Sequence, residues 1–113
     1  MEVLKLKTKQ QTLDAIRSGE IQEYSREIRP NTQEKYCELD EDGYVKDIEG
    51  VLQPRKYDVV QFVCGHETYA CKINDAYIEL FEDENGELIT YEEGGEEYIA
   101  AQVVYVLGDK IML

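Results

Sequence analysis

Tyr24 and Arg26 stand two residues apart in the run Glu-Ile-Gln-Glu-Tyr-Ser-Arg-Glu-Ile-Arg (residues 20–29), a spacing that sets both on one face of a strand. The Arg26 guanidinium offers a flat fork for a phosphate or carboxylate, or a plane to stack on a base. Tyr24 supplies a ring for base stacking. Both also fit a purely structural role, Arg26 in a salt bridge to Glu23 or Asp14 and Tyr24 as an ordinary aromatic of core or surface. Cys64, His66 and Cys71, with Cys37 as a fourth, are the donor types that hold zinc, but they lack the paired C-x-x-C spacing of closed sites. The expectation is therefore no metal, with Cys64 and Cys71 as small apolar strand residues and His66 at a hairpin tip. Asp40-Glu41-Asp42 and Asp83-Glu84-Asn85 are too short for a calcium loop, whose ligands spread over about twelve residues. They read as solvated turns. No Ser-His-Asp set, Gly-rich phosphate loop or basic-aromatic RNA motif is present, and no cofactor is implied.

The charge distribution narrows where an anion would be welcome. The chain has 113 residues and a formal net charge of -13, which disfavours extended phosphate backbones. Residues 1–30, however, hold six basic and five acidic side chains, so the excess lies wholly in residues 31–113. Only the first thirty residues offer an anionic ligand a non-repulsive field. Three cysteines, an odd number, argue for reduced thiols rather than a disulfide framework. Met1 to Lys9 lacks the apolar middle of a signal peptide, and no apolar run approaches the roughly 18 residues of a membrane span. These features predict a cytoplasmic protein with no membrane partner, working as a monomer.

The elements that must position these side chains follow from periodicity. Val3–Lys7 alternates as a half-buried strand. Thr8 and Gln11 form a capping-box pattern that predicts a helix over Lys9–Ser18, with Leu13 and Ile16 facing the core and Gly19 ending it. Residues 20–29 predict a charged second strand stopped by Pro30. Residues 31–56 are polar and poorly periodic, with a short helix at Thr32–Cys37, and read as a mobile or variable insertion. Strands are predicted at 58–64, 69–73, 76–82, 87–92 and 98–107, with turns at Gly65–Thr68 and at Asn85-Gly86. The sum is one early helix and then mostly strands: one domain over residues 1–113, α+β and mostly β, a small barrel.

The segment Ser18-Gly19-Glu20-Ile21-Gln22-Glu23-Tyr24-Ser25-Arg26-Glu27-Ile28-Arg29-Pro30, following a Lys-rich strand and an Asp-containing helix, resembles the ASCH domain family of PUA-like β-barrels. That family carries G-x-K-x-x-E-x-R after its first helix, and Gly19 and Arg26 match it. Ser18, Glu20, Glu23, Glu27, Ile28 and Pro30 match a longer form found in bacterial and phage members, with Arg29 in place of Lys. The signature Lys is Ile21 here and the signature Glu is Tyr24, with Glu23 one place early. In outline the resemblance continues through Tyr57–Phe62 and Tyr105–Asp109. It implies a PUA-like barrel of about five to seven strands with the helix across its mouth.

The resemblance further implies a non-catalytic module that binds a nucleotide, a modified nucleoside or a short single-stranded RNA. The cleft would lie between the first helix and the Arg26 strand, with Lys9, Gly19, Glu23, Tyr24, Arg26 and Arg29 as ligand-binding residues. Some ASCH proteins hydrolyse an amide on acetylated cytidine through the signature Lys, and Ile21 cannot shed or accept a proton. An amidohydrolase would need Lys9 or Lys5 as substitute, with Glu23 handling protons. A third reading uses Glu79–Glu97, which holds nine carboxylates and no basic side chain, as an interaction face for a basic protein; the same charge also serves simply to keep a β-rich surface soluble.

Overall fold

The computed structural model describes all of residues 1–113. Strands together with isolated bridges hold 53% of the residues and helices 11%, which makes the fold α+β and mostly β, as the sequence predicts. The main sheet has five strands in the order β1-β5-β6-β9-β2: β1 (Val3–Lys7), β2 (Glu23–Ile28), β5 (Val59–Cys64), β6 (Glu67–Leu80) and β9 (Ala101–Ile111). Two hairpins stand outside it, β3 (Asp47–Ile48) with β4 (Val51–Leu52) and β7 (Thr90–Glu93) with β8 (Glu96–Ile99). The helices are α1 (Gln10–Arg17) and α2 (Gln33–Tyr36).

The chain forms two compact units: Met1–Tyr24 with Lys56–Ala76 and Tyr105–Leu113, and Ser25–Arg55 with Tyr77–Val104. In the first unit β1 runs parallel to β5, pairing Val3 with Val59 through Lys7 with Val63. On its other side β5 pairs antiparallel with β6, from Val59–Lys72 to Cys64–Glu67. Leu4 and Leu6 of β1, Val59, Val60 and Phe62 of β5, and Leu13 and Ile16 of α1 are buried together with Ala70, Cys71 and Tyr105. Alternation of Leu with Lys in β1 and the three-residue spacing in α1 produce this core. The Tyr24 ring meets Phe62 edge-on, 5.0 Å between centroids and 76° between planes.

Helix α1 starts one residue later than the capping box predicts. Lys9 is the N-cap, with no side-chain cap bond, and the Thr8 amide donates to the Val63 carbonyl at 2.9 Å, which continues the β1–β5 pairing instead. At the other end Gly19 takes the expected left-handed conformation, φ 82°, and donates to Ile16 O.

Residues 31–56 carry local pairing: Tyr36 and Cys37 are buried, Cys37 bridges to Pro54, Leu39 bridges to Val45, and β3 and β4 close a hairpin. Backbone pairing between short polar segments supplies the order that side-chain periodicity does not announce. The strands predicted at 69–73 and 76–82 are one strand, β6. Its inward face shifts by one residue at Asn74-Asp75, as at a β-bulge, and the Asp75 carboxylate accepts the Ala76 amide at 2.9 Å. The Asn85-Gly86 turn forms as predicted, with Asp83 Oδ1 accepting the amides of Asn85 and Glu87. The strand predicted over 98–107 is instead two, β8 and β9, parted at Ala100, whose amide donates to Ile89 O at 2.8 Å and whose carbonyl accepts the Phe81 amide at 3.0 Å; β8 pairs back on β7 through a second hairpin turn at Gly94-Gly95, with φ 63° and 84°. Two successive positive φ values suit a tight two-residue hairpin and favour glycine.

Phe62 is fully buried, so truncation tests this core directly. Phe62→Ala is expected to cost about 3–5 kcal/mol and Phe62→Leu roughly 1–2 kcal/mol in urea denaturation. A loss below 1 kcal/mol for the alanine variant would contradict the assignment of Phe62 to the core.

Candidate functional site

The segment that carries the family resemblance borders a cavity in the first unit. About 220 Å³ in volume, it is lined by Ile16, Arg17, Ser18, Gly19, Ile21 and Gln22 and closed by Tyr69, Cys71, Leu107 and Gly108. The left-handed turn at Gly19 brings the chain off α1 and back along β9, where Gln22 O accepts the Leu107 amide at 2.9 Å. Arg17 pairs with Glu67 at 3.1 Å. The Lys110 ammonium lies 5.8 Å from the centre of the Tyr69 ring. Burial raises the Tyr69 phenol above its ordinary value, with Cys71 adding and Arg17 opposing, so at neutral pH it is a hydrogen-bond donor. The site thus combines a ring, a hydroxyl, an amide and a guanidinium around a small space.

Of the residues predicted to bind ligand, Gly19 lines this cavity. Lys9 is exposed at the N-cap of α1, whereas a lysine base works from a buried site beside partners. Strand β2 alternates: Tyr24, Arg26 and Ile28 face inward, and Glu23, Ser25 and Glu27 face solvent. Tyr24 and Arg26 therefore share a face, as their spacing predicts, and Glu23 lies on the opposite one. The Tyr24 ring is engaged by Phe62. Lys9, Gly19, Glu23 and Tyr24 belong to the first unit, and Arg26 and Arg29 to the second. Arg29 pairs with Glu27 at 2.7 Å and lies 4.4 Å from the centre of the Tyr91 ring. Arg17, Tyr69 and Lys110 were not singled out by sequence; Tyr69 follows the predicted Gly65–Thr68 turn, and that position was its only signal.

A larger cavity, about 550 Å³, lies in the second unit. Its walls include Tyr44, Tyr91, Tyr98 and Ile99, with Gln33, Glu96 and Glu97 contributing polar groups. Tyr91 and Tyr98 are directly opposite in the β7–β8 register and stack at 5.8 Å, 27° between planes. The Tyr98 hydroxyl donates to Glu96 at 2.9 Å, and that bond first, then desolvation and the charges of Glu96 and Glu93, raises its phenol above the ordinary range. The signal in the sequence is the palindrome Tyr-Glu-Glu-Gly-Gly-Glu-Glu-Tyr at 91–98, whose centre fixes the turn and whose symmetry fixes the pairs.

No cluster of three or more His, Cys, Asp or Glu residues is arranged to hold a metal ion. Cys64 Sγ lies 3.6 Å from Gln10 Oε1, and Cys71 and Cys37 are buried. No helix is long and apolar enough to cross a membrane. The chain matches no family model, no curated protein and no solved structure.

Burial pushes the Cys37 thiol from its ordinary 9.0 up to about 11. A raised folded-state value favours the folded protein fully below pH 9, and that contribution is lost as pH rises through about 11. Between those limits the wild type is expected to lose stability more steeply with pH than Cys37→Ala, measured by denaturation at a series of pH values. Parallel slopes would show that Cys37 is not the titrating group.

Proposed function

We propose that the chain is a non-catalytic, ASCH-type module that binds one nucleotide or modified nucleoside through the cavity at the end of α1. One observation carries this reading: the segment that resembles the ASCH signature, Ser18 to Gln22, forms one wall of a cavity whose other wall presents Tyr69. A tyrosine ring stacks on any base. The Gln22 amide carries both a donor and an acceptor for a base edge, and the Ser18 hydroxyl can do either. Arg17, held in place by Glu67, and Lys110 beside Tyr69 supply the positive charge that a single phosphate needs.

Size and charge favour one nucleotide over a strand. The cavity is smaller than the ~300–1,000 Å³ typical of drug-sized sites. The acidic balance of residues 31–113 opposes a long phosphate backbone. Ile21 stands at the signature Lys position and lines the same cavity, so the wall offers an apolar contact where a hydrolase of the family would offer an amine.

Titration with a panel of nucleosides and their monophosphates, followed by amide chemical shifts, tests the proposal. Saturable shifts are expected at Gly19 to Gln22, Tyr69 and Gly108, with at least one monophosphate tighter than its nucleoside. Arg17→Ala is expected to weaken the monophosphate by about tenfold, the loss of one charge-assisted contact. No shift at these residues with any member of the panel would overturn the assignment.

A further inference from the structure

We propose that the larger cavity of the second unit is a separate binding site for a single organic cation, an alkylated ammonium or guanidinium group. Its residues are outside the nucleotide-binding proposal, and the inference stands without it.

Three observations converge on this ligand class. Three tyrosines line the cavity: Tyr91 and Tyr98, which stack across the hairpin, and Tyr44, which is 73% exposed. Ring faces carry negative quadrupole potential and attract a cation within about 6 Å of the centroid. Tyr91 is already engaged, with the Arg29 guanidinium 4.4 Å from its centroid and Tyr98 stacked on it, so the rings left to a ligand are those of Tyr98 and Tyr44. The second observation is the charge around those rings. Glu96 and Glu97 line the cavity, and no lysine or arginine does. A phosphate or carboxylate ligand would meet repulsion from every ionised group on the walls.

The third observation is the register of the hairpin. Glu92 is directly opposite Glu97, and Glu93 is directly opposite Glu96. Like charges placed opposite one another destabilise a strand pair. Strand alternation sets Glu93 and Glu96 on the same face as Tyr91 and Tyr98. Glu96 and Glu97 are the two of these carboxylates that line the cavity, and a cation bound there would offset the like charge each meets across the ladder while its alkyl groups lie against the rings. Ligand binding and hairpin stability are thereby linked. A chain that needed only solubility would not require this charge to be paired face to face beside two stacked rings.

The cation could be a free small molecule or the modified side chain of a basic peptide. The probes are therefore tetramethylammonium, choline, and a short peptide carrying one trimethyl-lysine. Dimethylbutanol, the neutral carbon isostere of choline, is the control. Saturable shifts are expected for the ring protons of Tyr44, Tyr91 and Tyr98, with choline about tenfold tighter than the isostere. Tyr98→Phe keeps the ring and is expected to stay within about twofold, whereas Tyr98→Ala loses roughly tenfold. Glu96→Gln is expected to weaken the cations and leave the isostere unchanged, and it preserves the size of the side chain if the alanine variant fails to fold. Tighter binding of the peptide than of choline assigns the site to a side chain; the reverse assigns it to a free cation. Equal binding of choline and its isostere, or no shift at these tyrosines with any cation, would overturn the proposal. Gly19 to Gln22 report the other site, so either proposal can fail alone.

Discussion

The parallel pairing of β1 with β5 is the constraint on which the rest of the structure depends. Parallel neighbours cannot be joined by a tight turn, so the chain must leave the end of β1 and return to the start of β5 by a long connection. Everything from Thr8 to Asp58 lies in that connection: α1, β2, α2 and the β3–β4 hairpin. β5 is held on both sides, and Val59, Val60 and Phe62 are almost wholly removed from water. Burial of three such side chains contributes several kcal/mol, on the order of 1.5–3 for each. α1 packs against this strand, which fixes where the helix ends and therefore where the Gly19 turn presents its residues.

Each candidate site inherits its chemistry from the element that bears it. The first cavity has one wall at the end of α1, within the first thirty residues, where six basic side chains meet five acidic ones, and offers Arg17 and Gln22. The second has a wall on the β7–β8 hairpin, where every second residue of each strand is a glutamate or a tyrosine facing its like across the ladder. The net charge of -13 hides this division. A single average would exclude anionic ligands everywhere, whereas the two cavities differ locally, with Arg17 lining one and Glu96 and Glu97 the other.

Strong alternation and strong turns were legible in the sequence. Val3–Lys7 and residues 58–64 are strands because apolar side chains recur with period two or run together, and Asn85-Gly86 turns as its residue types require. Leu13 and Ile16 marked the buried face of α1 correctly. The errors have identifiable causes. Thr8 looked like a cap, but its amide was committed to β-pairing with Val63. Asn74-Asp75 looked like a break, but the Asp75 side chain satisfies the amide that a phase shift in the strand leaves over. Gly94-Gly95 sits in an acid-rich run without apolar alternation, and only the palindrome around it specifies a hairpin. For the sites, local spacing revealed that Tyr24 and Arg26 share a face, while the meeting of Gly19 with Tyr69 and Gly108 depends on sheet order, which no local pattern encodes.

Native-state hydrogen exchange measures the central claim most directly, because an amide in the strand that organises the fold exchanges only when the whole structure opens. The amides of Val60, Phe62 and Cys71 are expected to be the slowest in the chain, with exchange free energies equal to that of global unfolding. Those of Tyr91 to Tyr98, in a two-stranded hairpin with opposed glutamates, are expected to exchange faster through local opening. Protection of the hairpin equal to or greater than that of β5 would contradict the account.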